Sequence, residues 1–345
     1  MRTYLLPENG QFYKANLHCH STVSDGQLTP DEIKEAYKQR GYSVVAYTDH
    51  NILVPHPYLQ SDDFVALYGM EYYFDEVLPG QSWEQSRTTH FCLISLDPEN
   101  VIQPCFYQPN WFYDRLLERN DPRYKVTLDP NDSNYERVFT PDGVNDVIKK
   151  AREKGFFVTY NHPKWSKEGY ETYSKYKGMH AIEICNYNSY VKGFHEYNTK
   201  VYEEKLHNGE KIFGISADDN HNFDPFDSPY NDSFGAFTMI KAENLDYRSI
   251  TDALVKGHFY ASMGPEIYSM YLEGNKLHVK TSDAAIINFT SGIRHCYNEY
   301  CPEGGKLNEV IFDVWTQDIF FRVTVCDKEG RRATSNAYFV EDYVK

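Results

Sequence analysis

Short apolar runs in this 345-residue chain repeatedly end on residues that can bind a metal. Leu17 leads into His18-Cys19-His20. Ser43-Val44-Val45-Ala46-Tyr47 ends in Thr48-Asp49-His50, and Phe64-Val65-Ala66-Leu67-Tyr68 runs on to Glu71. Phe156–Tyr160 ends in Asn161-His162-Pro163, and Lys211–Ile215 leads to Asp219-Asn220-His221. Apolar runs rich in β-branched and aromatic residues read as strands. Helix signals lie between them. Thr29-Pro30-Asp31-Glu32 is a capping box with proline at the first helical position, and Thr140-Pro141-Asp142 opens another helix. Strand–helix–strand units build a parallel sheet or barrel, and in a barrel all strand C-termini share one face, where active sites form. His18 and His20, two apart on a strand, project the same way, with Asp25 five residues further on.

Composition narrows the partners. With 50 acidic and 35 basic residues the formal net charge is −15, a field that repels polyanions and argues against a long nucleic-acid substrate. No apolar run approaches the ~20 residues of a membrane span, and the first residues lack the apolar core of a signal peptide. The seven cysteines are scattered without a CxxC pair, as expected of reduced thiols in a cytoplasmic protein. His56, His180, His195, His207, His258, His278 and His295 lack the strand-end placement and are expected to be ordinary core or surface residues.

Two regions depart from the alternation. From about 97 to 139 the pattern dissolves into Pro, Asn, Asp and Tyr, with a short helix expected near Trp111–Arg119. This reads as an insertion, and its aromatics Phe106, Tyr107, Trp111, Phe112 and Tyr113 would suit a lid that stacks a ring. From about Pro265 the helical period disappears and short alternating runs follow, such as Lys276–Lys280, Val310–Val314 and Phe320–Val325. The expected organisation is an α/β unit over 1–264 and a small all-β, sandwich-like domain over 265–345.

The ordered motifs His18-Cys19-His20-Ser21, Thr48-Asp49-His50, Glu71, Asn161-His162-Pro163 and Asp219-Asn220-His221 resemble those of the PHP (polymerase and histidinol phosphatase) family across residues 12–262. The resemblance implies an α/β fold, a distorted, TIM-like (β/α)7 barrel with a trinuclear metal centre on its C-terminal face, and hydrolysis of phosphoesters. It implies that His18, His20, Glu71 and Asp219 hold one metal. Glu71 would bridge to a second, shared with His90 and His162, and Asp25, His50 and His221 would hold the third. Asp218 is the competing aspartate, but the Asp-x-His spacing favours Asp219.

Imidazole and carboxylate without thiolate suit two to three divalent transition ions, zinc, manganese or iron. Such ions neutralise phosphate oxygens and activate water at neutral pH, so no protein nucleophile is expected and the hydroxide comes from the metals. Ser21 reads as a supporting or turn residue. Lys164 and Arg87 are candidate phosphate contacts, and Asp49 is expected to orient a ligand histidine by a hydrogen bond. The expected substrate is a small phosphorylated metabolite or nucleotide. The alternatives are an amidohydrolase-type metal hydrolase, disfavoured because no strand-end lysine is apparent, and a non-catalytic metal-binding module. Protein partners are left open.

Overall fold

The computed structural model describes residues 2–131, 134–195 and 197–344; residues 132–133 of the expected insertion lie outside them. The strands are β1 (Arg2–Tyr4), β2 (Gln11–Asn16), β3 (Val44–Tyr47), β4 (Val65–Glu76), β5 (Arg87–Ser95), β6 (Ile102–Gln103), β7 (Thr127–Leu128), β8 (Phe156–Tyr160), β9 (Ala181–Asn186) and β10 (Phe213–Ala217). They continue as β11 (Phe237–Ala242), β12 (Phe259–Ser262), β13 (Ile267–Glu273), β14 (Lys276–Thr281), β15 (Ile286–Ser291), β16 (Cys296–Tyr300), β17 (Glu309–Asp313), β18 (Phe320–Cys326), β19 (Arg332–Ser335) and β20 (Tyr338–Phe339). The longer helices are α1 (Pro30–Lys38), α2 (Trp111–Arg119), α3 (Pro141–Glu153), α4 (Thr199–His207) and α5 (Tyr247–Lys256).

Local signals explain the helix ends. The Thr29 hydroxyl accepts from the Glu32 amide, and the Glu32 carboxylate accepts from the Thr29 amide, so two orphan donors of α1 are satisfied. Thr140 and Asp246 cap α3 and α5 with the side chain alone, accepting from the Gly143 and Ser249 amides. Gly257, at φ +70°, ends α5, a backbone state that glycine adopts without penalty.

One mixed sheet of fourteen strands carries the architecture, with β10-β9-β8-β5-β4-β3-β2-β11-β12-β19-β18-β15-β16 as its path and β20 beside β18. β2, β3 and β4 are mutually parallel, as are β8, β9 and β10, but β5 runs antiparallel to both of its neighbours. The reason lies in the connection. β4 continues past Glu71 to Glu76, and only residues 77–86 lead to β5, too few for a crossover helix, so the pair forms a hairpin. Reversal brings the beginning of β5, where His90 sits, to the rim formed by the C-terminal ends of its neighbours.

Among the described residues the strands of the expected distorted (β/α)7 barrel do not close into a ring. β10 pairs with β9 on one side, while its other edge is satisfied by side chains rather than by a strand ladder. The Ser216 amide donates to Thr238 Oγ1 at 3.2 Å, and the Gly214 amide donates to Asn336 Oδ1 at 3.0 Å. The Asn336 side-chain amide in turn donates to the Gly257 and Phe259 carbonyls at 3.0 Å each. Backbone pairing between the sheet's two arms comes beyond the strand ends, where Cys19 and Asn220 form a parallel bridge and the Asp219 amide donates to the His18 carbonyl at 2.9 Å.

Beyond Pro265 the chain is built almost wholly of strands. β13, β14 and β17 join β1 in a separate four-stranded antiparallel sheet, while β15, β16, β18, β19 and β20 extend the large one. The two sheets enclose Met270, Leu277, Phe289, Phe312 and Val323, in a core cluster that also contains Ile33, Tyr37 and Val45 from the α1–β3 region. The C-terminal strands therefore share both sheet and core with the N-terminal unit.

Asn336 is 1% exposed and serves three backbone groups. Asn336→Ala leaves them buried and unpaired, which costs about 1–3 kcal/mol per unsatisfied group. The expected outcome is a urea midpoint clearly lower at unchanged m-value; an unchanged midpoint would show that the β10 edge is held by other means.

Candidate metal centre

Nine residues from separate segments converge at this rim in three overlapping groups: His18, His20, Glu71 and Asp219; Glu71, His90 and His162; and His20, Asp25, His50 and His221. Every residue that the sequence pointed to as a metal ligand is among them, and the third group contains His20 as well. Glu71 is shared by the first two groups. Its Oε1 lies 3.2 Å from His18 Nε2 and 3.0 Å from both His90 Nδ1 and His162 Nε2; its Oε2 lies 2.9 Å from His50 Nδ1 and 3.4 Å from His20 Nε2. Asp219 Oδ1 lies 3.1 Å from His18 Nε2 and 3.0 Å from His20 Nε2, and those two nitrogens are 3.1 Å apart. Asp25 stands 3.6 Å from both His50 and His221 and 3.8 Å from His20.

These distances test whether the residues fit divalent metals. Bonds of ~2.0–2.1 Å to a tetrahedral ion place its ligand atoms about 3.3 Å apart. The first group matches that spacing. His20 Nδ1, His50 Nδ1 and Asp219 Oδ1 are buried without a hydrogen-bond partner, although each lies close to another member of the cage. Buried polar atoms normally find partners, so lone pairs aimed at a common space are what a cation-binding cage requires. The residues fit the group.

Charge follows the same pattern. Burial opposes ionisation of His18 and His20, but Asp219 and Glu71 raise both well above the usual imidazole range. Burial likewise opposes the charge on Glu71, yet His18, His90 and His162 hold it well below the carboxylate range. Asp219 is lowered by His18 and His20 against the same burial, whereas burial pushes the neighbouring Asp218 up to about 7. Burial, reinforced by His20, brings His221 down to about 4, so it is a neutral electron-pair donor at pH 7.

The adjacent aspartates thus have different tasks. Asp219 enters the cage. Asp218 accepts from the Tyr37 hydroxyl and from the amides of Phe234, Gly235 and Ala236, and so fixes the following loop. Asp219 and His162 both adopt positive φ, +56° and +26°. A non-glycine residue there costs on the order of 1–3 kcal/mol, and such strain gathers at functional sites.

Supporting contacts correct parts of the sequence reading. Asp49 bonds no histidine; it accepts from the amides and hydroxyls of Ser21 and Ser24, at 2.7–3.1 Å, and shapes the loop that carries His20 and Asp25. Ser21 is therefore committed to Asp49. Glu183, absent from the sequence-based set, is a carboxylate that does orient a ligand-type histidine: its Oε1 meets His18 Nδ1 at 2.7 Å, and its Oε2 accepts from the His162 amide at 2.9 Å. A lone carboxylate within Ala181-Ile182-Glu183-Ile184-Cys185 was the available signal, because a buried charge needs a partner. Asn161 donates to Glu71 Oε1 at 3.0 Å, and Asn186 donates to both Glu183 and Asp219.

Above the cage opens a cleft of about 360 Å³. His18 and His20 are fully buried and do not line it. Asp25, His50, Glu71, His90, His162, Asp219 and His221 line it, together with Asn188, Ser189, Lys192 and the aromatics Trp83, Trp165 and Phe223. Neither expected phosphate contact lines this cleft. Arg87 pairs with Glu76 at 3.0 Å and lies over the Phe139 ring, while Lys164 donates to the His195 carbonyl at 3.2 Å. The expected lid aromatics do not line it either: Trp111 is exposed, and Phe112 touches the site from outside, 5.4 Å from the His50 ring. Lys192 and Trp83 escaped the sequence reading because both sit on connections without periodicity.

No known family's sequence pattern matches the chain, and no curated protein is similar to it in sequence. Among solved structures it is similar to a two-domain protein containing a predicted PHP-like metal-dependent phosphoesterase from Bacteroides vulgatus ATCC 8482. Identity is 14% and the TM-score 0.42, over 97% of this chain and 89% of that one. It is also similar to a protein described as a putative metal-dependent phosphoesterase from Bifidobacterium adolescentis ATCC 15703 (14%, 0.33, 63% and 89%). A third similar structure is an amidohydrolase from Chromobacterium violaceum with bound sulfate (16%, 0.36, 60% and 87%). Likenesses of this size leave the chemistry to be read from the site itself.

Glu183→Gln keeps the shape but weakens the partner of His18 Nδ1. The expected outcome, measured by competition with a chromophoric chelator, is about 10- to 100-fold weaker manganese or zinc binding. Unchanged affinity would remove Glu183 from the account.

Proposed function

We propose that the chain is a metal-dependent phosphoesterase that hydrolyses small phosphate esters. Two to three divalent ions, zinc, manganese or iron, would be held by His18, His20, Glu71 and Asp219, by Glu71, His90 and His162, and by Asp25, His50 and His221 with His20. The observation that carries the reading is the sharing of one buried carboxylate, Glu71, between adjacent ligand groups at the floor of an open cleft. When bound, ions in such groups neutralise phosphate charge and lower the pKa of coordinated water to ~7.

The chain's own residues supply the rest. Glu71 and Asp219 set the spacing of the groups, and Glu183 and Asn161 fix the orientations of His18 and Glu71. The cage residues facing the cleft leave room for a ligand above a floor that excludes solvent. Ser21, committed to Asp49, is not available as a nucleophile, which supports attack by water. The net charge of −15 and the size of the cleft support a small substrate. The cleft favours catalysis over simple metal storage. The catalytic unit is placed in residues 1–264 and a β unit in 265–345. Among the described residues no helix is long and apolar enough to cross a membrane.

Protein purified without chelator or His tag should release phosphate from members of a panel of nucleotides and sugar phosphates. EDTA should abolish the activity and added manganese, zinc or iron restore it. His20→Ala should lower the rate by at least about a hundredfold, more than loss of a supporting contact would. Metal-loaded protein that releases no phosphate from any ester would overturn the proposal.

A further inference from the structure

The cleft has an aromatic side that the metal cage does not require. Trp83, on the connection between β4 and β5, is 54% exposed, and Phe223, just after His221, is 61% exposed. Neither belongs to a hydrophobic core cluster, yet both touch the cage, Trp83 by way of Trp165 and Phe223 directly on His221. The Trp83 ring lies 5.9 Å from Trp165, which sits edge-on to His162 at 4.8 Å and to His90 at 5.3 Å. Phe223 lies parallel to His221, 16° between planes at 5.9 Å. The aromatics therefore flank the two end groups of the cage, one by way of His90 and His162, the other by way of His221. Lys192 also lines the cleft; no carboxylate among the described residues lies within ion-pair distance of it, and its charge acts at longer range on Asp232, which accepts from the His221 and Asn222 amides. A cation beside acidic ligands, with exposed ring faces on either side, is complementary to an anion attached to a flat group.

Resting on the phosphoesterase reading, we infer that Trp83 and Phe223 select phosphate esters whose alcohol portion is a ring with an apolar face, and that Lys192 meets the phosphate charge. Trp83 and Phe223 are specificity residues here. The ring they grip can be a nucleobase, an aryl group or the apolar face of a sugar, which share this chemistry.

Non-hydrolysable probes separate the inference from the reaction. Titration calorimetry on manganese-loaded protein compares phenylphosphonate with methylphosphonate. The phenyl compound should bind about tenfold more tightly, and Trp83→Ala or Phe223→Ala should cut that ratio about fivefold, since one ring stack accounts for a factor of this size. Trp83→Phe should retain most of the ratio. Trp111→Ala, exposed and away from the cleft, serves as the control and should leave it intact. Lys192→Gln should weaken both phosphonates to the same extent. Relative rates on adenosine 5′-monophosphate and ribose 5-phosphate then distinguish a base from a sugar as the gripped ring. Equal affinity for the two phosphonates, or a ratio that survives Trp83→Ala and Phe223→Ala together, would overturn the inference while leaving hydrolysis untouched. A ring preference without hydrolysis of any ester would overturn the phosphoesterase reading alone, and absence of phosphonate binding would overturn both.

Discussion

The Glu71 carboxylate is the constraint on which the rest of the site depends. It is 1% exposed, and a charge buried to that degree is tolerated only when its partners are close and numerous. Five imidazoles and the Asn161 amide surround it, reaching it from the segments after β2, β3 and β8 and from β5. Those partners lie far apart in sequence, so the carboxylate can be satisfied only when the whole sheet has assembled. Fold and site are therefore one problem: the strands set where the ligands stand, and the ligands compensate a charge that would otherwise oppose burial.

The irregularities of the sheet serve the same end. A regular parallel arrangement would put the start of β5 on the opposite rim from His18 and Glu71. The short 77–86 connection forces a reversal, which delivers His90 to the cage and leaves Trp83 over the cleft. The open β10 edge, sealed by Thr238 and Asn336 rather than by a strand, lets the chain after β10 turn back onto His18 and His20. The left-handed backbone at Asp219 completes that turn, and His162 adopts the same sign of φ after β8.

Much of this was legible in the residues. A capping box marked α1, a threonine followed by proline marked both α1 and α3, α2 falls over Trp111–Arg119 as expected, and polar residues at the ends of apolar runs identified the groups that meet. Illegible were features decided by tertiary geometry. Sheet closure depends on whether a strand or a side chain meets the β10 edge, which no local pattern encodes. Asp49 follows a strand like a ligand does, but its carboxylate turns to the Ser21–Ser24 loop. Arg87 and Lys164 were chosen by nearness in sequence to ligand motifs, yet strand alternation and loop direction carry both away from the cleft. Glu183 was hidden because a carboxylate inside a strand announces burial without naming its partner.

Anomalous diffraction from crystals soaked in manganese tests the central claim most directly. The account predicts peaks within the cage, with Glu71 in contact with two of them and His18, His20 and Asp219 around the first. A peak elsewhere on the molecule with none at Glu71, at full occupancy of the added metal, would contradict it.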